Sequence, residues 1–169
     1  MIMTRLIAAL ALACSLLAIS EPARAAEDFK GKEDPSEFDL GAMGGMGILD
    51  NHVGFELLGT ASKKIVHHGF VNDINNSVSI EVELGPLFVS GGTAFAYSAH
   101  LRWDFVKDTE WTFYALGGLG GDITGASLGD RVELYPRFGV GAMWKIGQNF
   151  NFRGEISHEF VGLGVVFPL

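Results

Sequence analysis

The sequence is poor in cysteine, in charged residues and in long apolar runs, and each shortage narrows the class of protein. The one cysteine, Cys14, lies in an N-terminal apolar stretch, so the remainder of the chain has no disulfides and no thiol chemistry. No apolar run after that stretch approaches the ~20 residues that a transmembrane helix needs. A mature chain that spans a membrane would therefore do so as a closed barrel, because only helices and barrels satisfy every backbone polar group in lipid.

The amount and the sign of the charge argue against a typical soluble domain and against a nucleic-acid-binding protein. Charged residues make up 19% of the 169 residues and hydrophobic residues 48%, which is little charge for a soluble domain. The formal net charge is −8. This charge argues against nucleic acid as a partner, because binding to phosphates requires a basic surface.

The N-terminal stretch has the three parts of a secretory signal peptide. Arg5 supplies the positive charge, Leu6–Ile19 the apolar region, and Ala23–Ala25 a cleavage site of small residues. Residues 1–25 are therefore predicted to be a signal peptide, and the polar, aperiodic residues 26–37 a flexible periplasmic lead-in. Export without disulfides is typical of a Gram-negative envelope protein.

Apolar and polar residues alternate with a period of two through residues 38–169, which predicts β-strands. Turn residues divide this region into eight strands of about 9–13 residues each, the length that a tilted strand needs to cross a bilayer. Residues 62–76 break the pattern and are predicted to be a long connection, with Lys64–Val66 as a possible extension of the strand before it. Pro136 is expected to cause a bulge or a local gap.

The predicted hairpin Ser77–Phe105 raises the question of which face lies inside. One face carries valine, isoleucine, leucine and aromatic residues, and the other carries glutamate, histidine, arginine and aspartate. A soluble lipocalin-like barrel would give the same alternation with the apolar face inside. The period alone does not distinguish the two arrangements.

The tryptophans favour an apolar face that meets lipid. Trp103 and Trp111 flank one short turn, and Trp144 precedes another. Alternate connections of a meander lie at the same end of a barrel, so the three side chains are expected to form an aromatic girdle at one rim.

The polar face mixes arginine with carboxylates and has almost no lysine, whereas the lysines lie mostly in connections. Arginine is suited to enclosed pairing with carboxylates, and lysine to open water. Glycines on the same face leave room for long side chains within a narrow barrel. The residues predicted to form a polar network in the lumen are Glu56, Glu81, Glu83, His100, Arg102, Asp104, Glu133, Tyr135, Arg137, Arg153 and Glu155.

The end of the chain resembles the C-terminal signal of bacterial outer-membrane barrels, with Gly164, Phe167 and the terminal Leu169 at the expected spacing. With the signal peptide and the strand pattern, the chain resembles the small eight-stranded outer-membrane β-barrels of the OmpA transmembrane-domain and OmpX-like type. This resemblance implies a closed, antiparallel, up-and-down transmembrane barrel over residues 38–169. It also implies contact with outer-membrane lipid or lipopolysaccharide and with the barrel-insertion machinery through the last strand. Leu169 replaces the usual terminal Phe, which leaves its effect on insertion open.

The function expected from these features is a non-enzymatic one, in envelope structure or surface interaction, with no cofactor and no metal. The oligomeric state stays open. One alternative is a lipid A acyl hydrolase similar to PagL, with Ser157, His158 and Glu155 as candidate catalytic residues. The PagL motif His-x-Ser-Asn is not matched, since Phe160 stands two residues after His158. The second alternative is a soluble lipocalin-like barrel that binds an apolar ligand.

Overall fold

The computed structural model describes residues 36–50, 52–147 and 149–169. The predicted signal peptide and all but the last two residues of the lead-in lie outside the described residues. No helix in the described part of the chain is long and apolar enough to cross a membrane. The strands are β1 (Phe38–Leu49), β2 (His52–Val66), β3 (Asn76–Val89), β4 (Gly92–Val106), β5 (Trp111–Thr124), β6 (Arg131–Lys145), β7 (Asn151–Ser157) and β8 (Phe160–Pro168), with a short 3-10 helix, Ala126–Leu128, between β5 and β6.

The eight strands form a closed barrel in which each strand pairs antiparallel with the next along the chain. Strand β8 returns to pair with β1, where Leu40 lies opposite Phe167, and Leu169 N–H donates to the Phe38 carbonyl. The predicted closed eight-stranded up-and-down barrel is therefore confirmed. Closure satisfies the backbone groups that an open sheet would leave at its edges.

The meander gives the barrel two distinct ends. We call the end with Phe38 and Leu169 the terminal end; it also carries the β2–β3, β4–β5 and β6–β7 connections. The opposite end, which carries the other four connections, is the loop end. All three tryptophans lie toward the terminal end.

Strand alternation divides the side chains between a charged interior and an apolar outer wall. Arg102 is 2% exposed and faces the interior, while its neighbours Leu101 and Trp103 face outward. The outer wall exposes large apolar side chains on every strand, and Leu163 on β8 is 74% exposed. This polarity is the reverse of a soluble barrel, in which burial of apolar surface is the main driving force for folding.

The β2–β3 connection is shorter than the sequence predicted, because β2 continues to Val66 and β3 begins at Asn76. The expected extension through Lys64–Val66 is present, with a register shift at that point. The connection then folds back along the outer wall. There the ring of Phe70 packs edge-on against Trp103, with 5.8 Å between their centroids.

Asn76 holds the returning connection in place. Its amide nitrogen donates to the carbonyls of Val71 and Ile74 at 2.7 and 2.8 Å, and its amide oxygen accepts from Trp103 Nε1 at 2.9 Å. Val78 on the outer face is 5% exposed, although the alternation predicted that it meets lipid. The prediction was wrong for Val78 because Phe70 and Trp103 help to enclose it.

Of the two effects expected of Pro136, a bulge or a local gap in the ladder, the bulge is not present. It lies in regular register opposite Leu119 of β5. On its other side the β6–β7 ladder extends only as far as Gly139 opposite Ser157. Pro136 thus lies beyond the end of that ladder, at a position where the missing N–H breaks no strand pairing with β7.

A short turn between β4 and β5 is fixed by the carboxylate of Asp108. Its Oδ1 accepts from the N–H groups of Glu110 and Trp111 at 2.8 and 2.7 Å. These two hydrogen bonds stabilise the ionised form and lower the pKa of Asp108 below its ordinary value. The turn begins β5 with Trp111 at the rim of the barrel.

Two glycines offer a matched test of packing between strands. A Cβ built on Gly85 would lie 1.7 Å from the Leu57 carbonyl oxygen, whereas a Cβ on Gly117 would meet nothing within 4 Å. We expect Gly85→Ala to destabilise the barrel by about 1–3 kcal/mol, because β2 and β3 must move apart. Gly117→Ala should leave stability unchanged or raise it slightly. Urea unfolding of both variants, followed by tryptophan fluorescence, measures the difference; equal stabilities would contradict the close approach.

Candidate functional site: the charged interior

The interior of the barrel contains a network of ion pairs that extends across the lumen. Three arginines are buried in it, namely Arg102 on β4, Arg137 on β6 and Arg153 on β7. Seven carboxylates are also buried with them. These are Glu56, Glu81, Glu83, Asp104, Asp122, Glu155 and Glu159.

Arg153 lies at the centre and is 1% exposed. Its guanidinium donates to both oxygens of Glu81 at 2.7 and 2.9 Å, and to Glu155 at 2.6 Å. A longer contact of 3.3 Å reaches Glu83, and Nε donates to the hydroxyl of Tyr114 at 2.8 Å. Arg153 thus connects β7 to the facing strand β3 through residues 72 positions apart in sequence.

Arg102 forms the ion pairs in the part of the interior toward the terminal end. It donates to Asp104 through Nε and Nη2 at 2.8 and 3.0 Å, a bidentate pair. Nη1 donates to Glu81 at 2.5 Å and Nη2 to Asp39 at 2.8 Å. His100 Nε2 lies 3.0 Å from Glu81, which therefore joins Arg102, Arg153 and His100.

Arg137 forms the ion pairs in the part of the interior toward the loop end. Nη2 lies 2.6 Å from Glu83 and 2.8 Å from Glu155, and Nη1 lies 2.7 Å from Glu159. Near the mouth, the Tyr135 hydroxyl donates to Asp122 at 2.9 Å. Arg131 Nε lies 3.2 Å from Glu133 in a half-exposed pair.

The sequence-predicted lumen residues divide into two groups in the structure. Most of them are in direct contact around the three arginines. The second group is outside these contacts: Glu56 makes no hydrogen bond or ion pair with another described residue, and Glu133 and Tyr135 lie at the mouth. Sequence reasoning missed Asp39, Asp122 and Glu159. Asp39 alternates with Phe38 and Leu40 and was on the polar face, Asp122 was expected at the start of a loop, and Glu159, between the last two predicted strands, was given no role.

Part of the interior is apolar, which the sequence did not predict. Met43, Leu58, Ala96 and Phe160 form one buried cluster, and Phe160 is fully buried. A second cluster, nearer the loop end, contains Leu49, Leu87 and Ala94 with Leu128 of the 3-10 helix against it. Arginine pairs and apolar side chains together fill the lumen, and the cavity beside Arg102 at the terminal end has a volume of only about 40 Å³.

The enclosed arrangement gives every buried arginine several partners of opposite charge. Burial of an ion costs several kcal/mol unless the geometry and the hydrogen bonds compensate, and here each arginine has three carboxylate partners. The resulting pairs join β1, β3, β4, β6 and β7 across the lumen. The network therefore connects strands that do not pair with each other.

The aromatic residues of the predicted girdle are partly clustered. Trp111 and Trp144 lie opposite each other on β5 and β6 and stack with 5.8 Å between ring centroids and 8° between planes. Trp103, on β4, does not stack with these two tryptophans. Its ring packs against Phe105 and Phe70. Of the C-terminal residues, Gly164 and Phe167 lie on β8 opposite Met43 and Leu40, and Leu169 closes the barrel against Phe38.

The three candidate catalytic residues do not come together. The Ser157 hydroxyl exchanges hydrogen bonds with the backbone N–H and carbonyl of Phe160. His158 Nδ1 contacts the carboxylate of Glu159. Glu155 points into the interior, where Arg137 and Arg153 bind it. No hydrogen bond between Ser157 and a base exists among the described residues, which is the contact that a serine nucleophile requires.

One group of side chains has the spacing of a metal site. Among the described residues, only Glu81, Glu83 and His100 bring three ligand atoms within 4.8 Å of one another. Arg153 already donates to Glu81 and Glu83, and Arg102 to Glu81. Two guanidinium groups thus provide the positive charge that a metal ion would supply.

Comparison with known proteins bears on the fold. No protein-family model matches the chain, and no curated protein matches it in sequence. A similar solved structure is that of Ail, the attachment invasion locus protein of Yersinia pestis, in complex with the heparin analogue sucrose octasulfate. The alignment has 14% identity and a TM-score of 0.52, and covers 79% of this chain and 97% of that chain. The chain therefore has the fold of the small eight-stranded outer-membrane β-barrels, as the sequence resemblance predicted.

Proposed function

We propose that the chain is an integral protein of the bacterial outer membrane with a non-enzymatic role in envelope structure or surface contact. The observation that carries the proposal is the reversed polarity of the barrel. Arg102 and Arg153 are almost completely buried, while large apolar side chains such as Leu163 cover the outside. Water would disfavour this wall, whereas lipid hydrocarbon favours it.

The orientation and the partners follow from the same proposal. The terminal end faces the periplasm, with Trp111 and Trp144 at the interface of the inner leaflet. The loop end then faces the cell exterior, and the outer wall contacts lipid and lipopolysaccharide. Strand β8, with Gly164, Phe167 and Leu169, would be the strand that the barrel-insertion machinery recognises.

The loop end has little in common with a surface that binds polyanions. All four lysines in the described part of the chain (Lys63, Lys64, Lys107 and Lys145) belong to the terminal half of their strands or to its connections. The loop end carries Asp50, Asp130 and Glu133 beside Arg131. A contact with a sulfated saccharide, of the kind in the Ail complex, is therefore not part of the proposed role.

Fractionation of cells that express the full chain tests the location. We expect the protein in the outer-membrane fraction after alkaline extraction. Its gel mobility should differ between unheated and boiled samples, because the closed barrel resists detergent until it is heated. Release into the soluble periplasmic fraction without detergent would contradict the proposal and favour the lipocalin-like alternative.

Mass spectrometry of lipid A tests the non-enzymatic role. Cells that express the chain, its Ser157→Ala variant or an empty vector should give the same acylation profile. Loss of an acyl chain with the natural sequence, but not with Ser157→Ala, would support a lipid A hydrolase instead.

A further inference from the structure

The β2–β3 connection forms two cavities at the terminal end of the barrel. The first, which we call the polar pocket, has a volume of about 180 Å³ and is lined chiefly by His67, His68, Asn72, Asn75 and Asn76. The second, which we call the apolar groove, has a volume of about 240 Å³ and lies on the outer wall among Phe70, Val78, Leu101, Trp103, Ala115 and Gly117. One cavity therefore offers hydrogen bonds and the other mainly apolar contacts.

A thin wall separates the two cavities. Asn76 lines the polar pocket and Trp103 lines the apolar groove, and the indole Nε1 of Trp103 donates to the Asn76 amide oxygen at 2.9 Å. Phe70 lines the groove, whereas its neighbours in sequence, Gly69 and Val71, line the pocket. A ligand with a polar part and an apolar part can therefore occupy both cavities at once.

Backbone hydrogen bonds hold the polar pocket in shape. Gly69 N–H donates to the Asn76 carbonyl at 2.7 Å, and Val106 N–H on β4 donates to the Asn75 carbonyl at 2.9 Å. The side-chain amide of Asn76 also donates to two carbonyls within the connection. A pocket that is already ordered costs little conformational entropy when a ligand binds.

The lining of the polar pocket favours an anionic ligand. Two imidazoles and the asparagine amides provide N–H donors, and the lining includes no carboxylate from the described chain. Asp73, the acidic residue of the connection, is not among the lining residues. At the rim, His67 Nε2 lies 3.6 Å from Glu37 Oε1, and both side chains are half-exposed. A phosphate group accepts several N–H hydrogen bonds at once.

The apolar groove has a shape that suits a linear hydrocarbon chain. Its floor is made by the small residues Ala115 and Gly117, and a Cβ built on Gly117 would meet nothing within 4 Å. The bulky side chains of Leu101 and Trp103 lie opposite these two residues on β4, and Phe70 packs against Trp103. A chain in this groove contacts more carbon atoms than a chain on a flat wall, and such contacts add up through dispersion.

We propose that the polar pocket and the apolar groove together bind one phospholipid, with its phosphate in the pocket and one acyl chain in the groove. The inference rests on the proposed location in the outer membrane, in which the terminal end lies at the inner leaflet. There the headgroups meet the hydrocarbon at the level of the tryptophans, which is also the level of these cavities. A second copy of the chain or a purely apolar ligand would fill the groove but leave the donors of the polar pocket unused.

Native mass spectrometry of the full mature chain in detergent micelles tests the site. We expect one phosphatidylethanolamine to remain bound at a collision energy that removes the detergent. A diacylglycerol with the same acyl chains should not remain bound, because it lacks the phosphate. Glycerophosphoethanolamine, which has the headgroup without the chains, and inorganic phosphate should not displace the lipid at equal concentration.

Two variants and one control assign the binding to the two cavities. Gly117→Leu fills the groove at a position with free space and should reduce the retention of phosphatidylethanolamine to that of diacylglycerol. The double variant His67→Ala with His68→Ala should weaken the apparent affinity by about tenfold or more, since a hydrogen bond to a charged group contributes about that factor. Gly59→Leu is the matched control on the outer wall of β2, outside the groove. A Cβ on Gly59 has an ordinary contact, 3.7 Å from the Leu84 carbonyl oxygen, and this variant should retain the lipid as the natural sequence does.

Three outcomes would overturn the proposal. One is the absence of retained phospholipid on the natural sequence in samples whose gel mobility shows a folded barrel. Another is equal retention by Gly117→Leu and Gly59→Leu, which would place the acyl chain elsewhere. The third is equally strong retention of diacylglycerol, which would show that the polar pocket is not required. Cell fractionation tests the location separately. Protein in the outer membrane without a retained phospholipid contradicts the site alone, whereas release into the soluble periplasmic fraction contradicts the location on which the site depends.

Discussion

Replacement of Arg153 by methionine is expected to destabilise the barrel by about 3–5 kcal/mol, because it leaves Glu81, Glu83 and Glu155 short of a buried cation. Methionine fills much of the volume of the arginine stem, so the loss comes mainly from charge rather than from a cavity. Folded proteins are stable by only about 5–15 kcal/mol, and the variant should therefore fold in low yield. Urea unfolding in detergent, with the gel shift as readout, measures the change.

A matched substitution distinguishes the loss of a buried arginine from the loss of an exposed one. Arg131→Met removes an arginine that is half-exposed at the mouth and paired with Asp50 and Glu133. Exposed pairs contribute about 0–1 kcal/mol, so this variant should unfold almost as the natural protein does. The double variant Arg153→Met with Glu81→Gln should recover part of the lost stability, since it removes the carboxylate that Arg153 binds through both oxygens. Equal stability of Arg153→Met and Arg131→Met would contradict a stabilising role for the interior network.

The alternation of residue types was sufficient to predict the number of strands, the closure of the barrel and the inward direction of Arg102. It could not predict which interior residues meet. A period of two fixes the face of a strand but not the height of each residue in the lumen, which depends on the tilt and stagger of all eight strands. Arg153 reaches Glu81 across the lumen from a strand that does not pair with β3.

The other differences between prediction and structure arise at the ends of strands, where the alternation stops, and under the β2–β3 connection, which covers part of the outer wall. Asp122 lies near the end of β5 and Glu159 in the connection between β7 and β8, so the alternation within strands gave no sign that their side chains are buried. Val78 obeys the alternation and faces outward, but the β2–β3 connection returns over it through Phe70. Met43, Leu58 and Phe160 occupy inward positions as apolar residues because they pack against one another, and a simple polar-inside rule gives no sign of that contact.

Substitution of Leu163 by arginine distinguishes a wall that faces lipid from a wall that faces water. Leu163 lies near the middle of β8, between Gly154 and Gly44 on the neighbouring strands, and its side chain points outward. At the midplane of a bilayer an outward arginine costs about 2–4 kcal/mol, because no water or carboxylate is available to its guanidinium. We expect Leu163→Arg to lose that amount of stability when the protein is folded into lipid vesicles. Equilibrium urea unfolding, followed by the fluorescence of the three tryptophans, provides the measurement.

The control places the same charge at the rim. Ile146 is exposed in the β6–β7 connection at the terminal end. There the long arginine side chain can extend to the headgroups, and Ile146→Arg should cost about 0–1 kcal/mol. A soluble barrel predicts a different result, since Leu163→Arg would replace an exposed apolar side chain with a hydrated one and leave stability unchanged. A position-dependent loss, large at Leu163 and small at Ile146, therefore follows from insertion across a bilayer and from no other arrangement considered for this fold.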